Sequence, residues 1–135
     1  QTTAGWPLKF YTEEVTNVRV CKNGYILIGG GTCSAMGIIS SIKGIAPYWT
    51  GRGFETYNIY TCKTSDYVVI KWTNSINNFE VEVIIHDSGE IKYSYKDPDA
   101  TPVSRPATVG ISYSTSYNTP IISGQTISSD YKLTF

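Results

Sequence analysis

Apolar and polar residues alternate most regularly between residues 79 and 96. The apolar positions recur at every second residue on either side of a short polar segment: Phe79, Val81, Val83, Ile85, Ile91, Tyr93 and Tyr95. Because successive strand side chains point to opposite faces of a sheet, this period of two predicts two strands, each with one buried face. The segment Asp87-Ser88-Gly89 between them supplies a glycine that tolerates the positive φ of a tight turn. The pattern therefore predicts a β-hairpin of antiparallel sheet.

Strand-like runs separated by turn residues continue along the rest of the chain. Asn23-Gly24 and Thr64-Ser65-Asp66 predict two more hairpins, since Asn-Gly between apolar alternations favours a two-residue turn. The other strand-like runs are residues 8–11, 15–21, 25–28, 38–42, 45–49, 57–62, 67–73, 107–113, 120–122 and 126–135. No segment has a helical period. We expect an all-β fold, an antiparallel β-sandwich of roughly ten short strands with no significant helix, and a barrel is the alternative.

Length and charge narrow the classes of function. The chain has 135 residues, enough for one domain with its own core, and it carries 11 basic and 11 acidic side chains. A protein that binds phosphates by displacing counterions needs a net positive surface, so we expect no nucleic-acid partner. We expect an N-terminal strand over residues 1–10 and a single β-sandwich domain over residues 11–135.

The start of the chain bears on its location. No apolar run reaches the roughly 20 residues of a membrane span, and the chain begins at Gln1 without the features of a signal peptide. Two interpretations are open: a mature chain whose export leader has been removed, and trimming during expression. The low charged fraction of 16% and the 11 tyrosines favour an extracellular or cell-surface protein.

Three cysteines allow one disulfide and one free thiol. Cys21, Cys33 and Cys62 contain no C-x-x-C pair of the kind that holds zinc, and three pairings are open. Cys33 and Cys62 lie in or beside predicted loops, so for an exported chain we predict a bridge between these two. Cys21 ends a strand-like run, and we expect it to pack as a small apolar residue.

The residues that could support catalysis lack the partners that catalysis needs. His86 is the sole histidine, and no G-x-S-x-G nucleophile motif accompanies it. Glu80 and Glu82 share one face of a predicted strand, whereas glycoside hydrolysis needs two carboxylates facing each other across a cleft. We therefore predict that the chain is not an enzyme and has no catalytic residues.

The candidate ligand motifs are also incomplete. Gly29–Gly31 has no downstream Gly-Lys-Ser/Thr of a phosphate-binding loop, which indicates a flexible connection between strands. Asp97 and Asp99 supply too few oxygen ligands for a calcium loop. We expect neither a cofactor nor a metal.

A series of motifs follows in an informative order. They are VRV at 18–20, NGYI at 23–26, IAPYW at 45–49, VVIKW at 68–72, FEVEVII at 79–85, GEIKYSY at 89–95 and ATVGI at 107–111. Their order resembles that of nidogen-like extracellular β-domains of secreted and surface proteins, including those attached to bacterial and archaeal adhesins. This resemblance spans about residues 8–135 and implies an extracellular interaction module without catalytic residues. The cysteines are a departure, because the general pattern does not require them.

A small neutral β-domain acts through its surface, and its open sheet edges can be completed by a strand from another chain. We predict a self-assembling subunit of a surface filament or pilus-like fibre, in which residues 1–10 donate a strand. Trp6, Leu8 and Phe10 alternate within that segment and are the predicted assembly residues. The alternative for this segment is pairing within its own sheet.

Two other functions are open at this point. Exposed Tyr and Trp side chains suit a module that binds carbohydrate or a host surface through ring stacking, and a viral coat protein could use a β-sandwich of this size. The expected partners are thus copies of the chain itself, or a glycan or cell-surface ligand.

Overall fold

The computed structural model describes residues 2–10, 13–50, 57–74, 80–96, 107–114, 116–125 and 132–134. These residues form eleven strands and one short 3-10 turn over Ile39–Ser41. The strands are β1 (Thr2–Phe10), β2 (Glu13–Cys21), β3 (Tyr25–Ile28), β4 (Gly44–Thr50), β5 (Tyr57–Lys63), β6 (Tyr67–Asn74), β7 (Glu80–His86), β8 (Ile91–Lys96), β9 (Ala107–Ser112), β10 (Asn118–Gln125) and β11 (Lys132–Thr134).

The strands form two antiparallel sheets, which confirms the all-β, sandwich-like fold. The six-stranded sheet has the order β1-β2-β3-β4-β9-β10, and the five-stranded sheet has the order β11-β8-β7-β6-β5. The three predicted hairpin turns are present as β2–β3, β5–β6 and β7–β8. Gly24 and Gly89 adopt φ values of 92° and 97° in the first and third turns, the conformation for which glycine is suited.

The main core lies between the two sheets. Alternate residues of β6, β7 and β8 face inward and are buried, as the period-two pattern predicts. They meet the inward residues of the six-stranded sheet in one apolar cluster, whose members include Val18, Val20, Ile26, Ile45, Ile70, Trp72, Val81, Val83, Tyr93, Val109 and Ile111.

Polar atoms of the core tie the two sheets together. Trp72 Nε1 donates a hydrogen bond to the Cys21 carbonyl oxygen at 2.8 Å. Tyr93 Oη donates to the Gly110 carbonyl oxygen at 2.6 Å, and Tyr95 Oη donates to the carbonyl oxygen of Pro47. Buried polar groups without partners are costly, so these bonds let large aromatic side chains fill the core.

The outer face of the six-stranded sheet carries a second, smaller core. Strands β3 and β4 are buried along their whole length, on both faces. Residues 29–43, here called the cover loop, lie over their outer side. The residues enclosed there are Cys21, Tyr25, Leu27, Ile39, Ala46 and Trp49. The Tyr25 and Trp49 rings stack with centroids 4.6 Å apart.

Polar contacts and one disulfide hold the cover loop in place. The Ser34 N–H donates to Tyr25 Oη at 2.6 Å, and Trp49 Nε1 donates to the Ser34 carbonyl oxygen at 3.1 Å. Thr108 Oγ1 donates to the Gly37 carbonyl oxygen at 2.6 Å. Cys21 is bonded to Cys33, which closes the loop onto the end of β2.

Two expectations from the sequence are wrong in this region. The predicted bridge Cys33–Cys62 is replaced by Cys21–Cys33, and Cys62 is an exposed free cysteine. The physical reason is that Cys21 faces the outer side of its sheet, where the cover loop returns, whereas Cys62 belongs to the other sheet. Residues 38–42 contain a 3-10 turn instead of a strand, because they cross over the sheet rather than joining it.

Candidate interaction edge of the five-stranded sheet

The two edges of the six-stranded sheet are irregular. β1 changes register against β2 between Ala4 and Leu8, a stretch that contains Pro7. β10 changes register against β9 at Pro120 and again after Ser123. Prolines and bulges at an edge hinder the addition of a further strand, so both edges carry the protection that natural sheets use.

The two edges of the five-stranded sheet differ from each other. β11 is only three residues long, and short edge strands offer little template for pairing. β5 pairs with β6 over all seven of its residues, Tyr57–Lys63, without a register shift and without a proline. Of the four described edge strands, β5 is the one that is long, pairs in a continuous register and contains neither a proline nor a bulge.

The hydrogen bonds at the β5–β6 turn establish which backbone groups of β5 are already used. The Thr64 N–H donates to the Tyr67 carbonyl oxygen at 2.9 Å, which makes these two residues a hydrogen-bonded pair. In an antiparallel ladder, hydrogen-bonded and non-hydrogen-bonded pairs alternate. The even-numbered residues of β5 therefore bond to β6.

The odd-numbered residues of β5 direct their backbone groups away from β6. Ile59 and Thr61 occupy the two central positions of this kind, and β5 has no neighbour on that side among the described residues. Their N–H and C=O groups thus face the open edge. This arrangement can accept an antiparallel or parallel strand by main-chain hydrogen bonding.

The side chains of β5 differ between its two faces. Ile59 faces inward and packs against the main core while remaining partly exposed. Tyr60 and Cys62 face outward, on the side of the sheet that the cover loop does not reach, and Tyr60 is 57% exposed. The edge therefore combines free backbone groups with a large exposed aromatic ring at the midpoint of the strand.

The outer face beside β5 is mixed in character. Lys71 lies next to Tyr60 in the register and forms an ion pair with Glu82, with an Nζ–Oε2 distance of 3.8 Å. Val69 lies next to Cys62 and is half-buried. An apolar pair and a neutralised charge pair thus adjoin the edge on this face.

His86 lies at the far end of this outer face. Its ring is 5.9 Å from the ring of Tyr67, and its Nε2 is 4.0 Å from Glu90 Oε1. Lys92 Nζ also approaches Glu90, at 3.4 Å. Glu80 and Glu82 share the outer face of β7, as predicted, and Glu82 is paired with Lys71. These contacts are those of a solvated charged surface.

The sequence contains two other candidate ligand motifs, the glycine run at 29–31 and the Asp97/Asp99 pair. Gly29, Gly30 and Gly31 have φ values of 80°, 92° and 130° and form the start of the cover loop. Asp97 and Asp99 lie outside the described residues. Within the described ranges, no three or more His, Cys, Asp or Glu side chains cluster as metal ligands, and no helix has the length and hydropathy to cross a membrane.

The predicted assembly residues lie in β1. Leu8 and Phe10 pair with Val15 and Glu13 of the same chain, and Trp6 falls within the irregular stretch of the strand. The backbone of β1 thus occupies the edge next to β2, while its side chains lie outside the described set. Donation of this strand to another subunit stays a prediction.

Comparison of the chain with protein-family models, with curated proteins and with solved structures finds no match. The resemblance to nidogen-like domains therefore stays a prediction from the motif order.

Sequence reasoning missed the β5 edge, although it predicted the hairpin that contains it. The alternation over residues 57–62 indicates a strand but carries no signal of its neighbours. Whether a strand lies at the edge of a sheet depends on where the chain passes from one sheet to the other. The chain passes to the five-stranded sheet after Thr50 and back to the six-stranded sheet after Lys96. A usable signal was the absence of proline and glycine in β5 beside a single lysine, Lys63.

Proposed function

We propose that this chain is a non-enzymatic structural module that assembles with copies of itself by strand addition at the open edge of β5. The observation that carries the proposal is the contrast among the four described edges. Three are short, bulged or interrupted by proline, and β5 is seven residues long and regular. Long regular edges with unpaired backbone groups are the sites where sheets accept additional strands.

The proposed location is outside the cell. The Cys21–Cys33 bridge supports this, because disulfides persist in oxidising compartments. The nidogen-like resemblance implies the same location and the same class of interaction module. Strand addition at this edge joins two subunits, and a surface filament or pilus-like fibre, which the sequence predicts, needs a second interface in addition.

A proline at Thr61 tests the role of the edge. The Thr61 N–H faces away from β6, so Thr61→Pro removes an edge donor without breaking the β5–β6 ladder. We expect the free energy of unfolding to change by less than about 1 kcal/mol. Sedimentation velocity of a Cys62→Ser background, which excludes covalent linkage, should show concentration-dependent association that Thr61→Pro abolishes.

Thr61→Val is the matched control, because it keeps the N–H and the β-branched shape of the side chain. It should associate like the parent. A parent protein that remains monomeric up to about 1 mM, or a Thr61→Pro variant that associates as strongly as Thr61→Val, would contradict the proposal.

Removal of residues 1–10 tests the predicted donor strand separately. If β1 is the strand that adds to a neighbour, electron microscopy should show filaments from the intact chain and none from the truncated chain, while circular dichroism shows that the core stays folded. Filaments that persist after truncation would exclude β1 as the donor strand.

A carbohydrate-binding function is the second candidate. Tyr60 and Tyr67 are both exposed on the outer face of the five-stranded sheet, and aromatic rings present a flat apolar surface with a polar tip. Retention of the monomer on a glycan array, lost in Tyr60→Ala and Tyr67→Ala but not in Tyr117→Ala, would favour this candidate over assembly. Absence of retention would exclude it for the glycans tested.

A further inference from the structure

We propose that the strand added to β5 is β5 of a second copy, paired antiparallel about a two-fold axis at Tyr60. This inference rests on the proposed function of the edge and names its occupant. The product is a continuous sheet of ten strands, five from each copy. The alternatives, a different register or a different donor strand, are outcomes of the test below.

The backbone of β5 is complementary to itself. Ile59 and Thr61 direct their N–H and C=O groups to the open edge. When Tyr60 lies on the two-fold axis, Ile59 of each copy faces Thr61 of the other, so the groups of one edge meet those of the other edge. These two pairs form four main-chain hydrogen bonds in an antiparallel ladder.

The parity of the ladder restricts the register. Odd-numbered residues of β5 face the open edge, so they must face odd-numbered residues of the other copy. The register centred on Tyr60 pairs all seven residues of β5, and shifts toward Cys62 shorten the paired segment. A shift that centres the axis on Lys63 brings two like charges opposite each other, which is unfavourable.

Charge placement and side chains favour the same register. Lys63 is the single charged residue of β5, and centring on Tyr60 puts the two Lys63 side chains at opposite ends of the interface. The Tyr60 rings meet in a non-hydrogen-bonded pair, in which facing side chains are closest, and aromatic cross-strand pairs are stabilising. Ile59, which is partly exposed at the border of the core, gains a neighbour in Thr61 of the second copy.

The native thiol of Cys62 can report this register. In the proposed pairing, Cys62 faces Asn58 of the second copy in a non-hydrogen-bonded pair, with Cα atoms about 4.5 Å apart. That distance permits a disulfide, whose Cα atoms lie roughly 4.4–6.8 Å apart. The two Cys62 residues are offset by four positions along the strands, or roughly 13 Å. This distance is too long for a disulfide between them.

The test is disulfide trapping of an Asn58→Cys variant under a glutathione redox buffer. We expect about tenfold more covalent dimer from Asn58→Cys than from the wild type, because the geometry allows a bridge from Cys62 to position 58 of the second copy but none between the two Cys62 residues. The double variant Asn58→Cys/Cys62→Ser is the control and should remain as uncrosslinked as the wild type. Thr61→Pro added to Asn58→Cys should abolish the covalent dimer.

The outcomes separate this inference from the proposed function. Efficient crosslinking of the wild type through Cys62 alone would overturn the register. Association that depends on Thr61 without crosslinking of Asn58→Cys would overturn the proposed pairing, in its register or in its occupant, while leaving strand addition at this edge intact. A parent protein that shows no association at any concentration would overturn both.

A charge placed at the axis gives an independent test. Tyr60→Lys brings two like charges together on the two-fold axis, and it should weaken dimerisation about tenfold or more. Tyr117→Lys makes the same change at a tyrosine that is 66% exposed and distant from β5 in the topology, and it should leave dimerisation unchanged. Equal effects of the two variants would contradict the proposed axis.

Discussion

The outer faces of the two sheets differ in how far they are covered. The six-stranded sheet is covered by residues 29–43, which enclose Tyr25 and Trp49 and are bridged to the sheet through Cys21–Cys33. Among the described residues, none covers the outer face of the five-stranded sheet, which has half-buried residues along β7 and an exposed Tyr60 on β5. The edges follow the same division, since the regular edge belongs to the open sheet.

This difference separates residues that stabilise the fold from residues that are available to a partner. Burial on both faces gives β3 and β4 more apolar contact than a strand with one wet face has, and burial of a large side chain contributes about 1.5–3 kcal/mol. Exposed residues of β5 contribute little to the stability of the monomer.

The largest expected effect comes from the covered side. Trp49 is 1% exposed and stacked on Tyr25, so Trp49→Ala should lower the free energy of unfolding by about 3–5 kcal/mol. Tyr60→Ala removes an aromatic ring from the open side and should change it by about 0.5 kcal/mol or less. Chemical denaturation of both variants measures the two losses in free energy of unfolding. Equal losses would contradict the distinction between a covered sheet that stabilises the fold and an open sheet that does not.

The disulfide gives the next largest effect. The bridge closes a loop with a sequence separation of 12, and the chain-entropy model assigns about 3 kcal/mol to a loop of this size. We therefore expect Cys33→Ser to destabilise the protein by roughly that amount in thermal and denaturant unfolding. Cys62→Ser, at the free and exposed cysteine, is the control and should have no measurable effect on stability.

A smaller effect is expected from the ties between the sheets. Tyr93→Phe removes the donor to the buried Gly110 carbonyl oxygen and should cost about 1–3 kcal/mol, the penalty of an unsatisfied buried group. Tyr67→Phe deletes the same hydroxyl from an exposed ring and should cost almost nothing. Similar unfolding midpoints for the two variants would show that the hydrogen bond between the sheets contributes little.

The smallest effect belongs to the open face itself. The Lys71–Glu82 pair has side chains that are 36% and 30% exposed, and surface ion pairs contribute at most about 1 kcal/mol. Lys71→Gln should therefore change stability by about 0.5 kcal/mol, and added salt should reduce even that difference. A loss above about 2 kcal/mol would mean that this face is more than a solvated surface.

The sequence predicted the local structure well because each local signal has a direct physical cause. Alternation over residues 79–95 determines the face of every side chain in β7 and β8, and Asn23-Gly24 determines a turn. It did not predict the cover loop, since Ile38 to Ile42 looks like a strand until its place over the sheet is known. The predicted disulfide was wrong for the same reason, because the partner of Cys33 depends on which sheet each of the other two cysteines belongs to.

Hydrogen exchange of the backbone amides in β5 tests the central claim most directly. In dilute solution the amides of Tyr60 and Cys62, which bond to β6, should be protected, and those of Ile59 and Thr61 should exchange fast. We predict that raising the protein concentration protects the amides of Ile59 and Thr61 selectively, while the amides of β11 are unchanged. Fast exchange of Ile59 and Thr61 at every concentration at which the protein associates would contradict it.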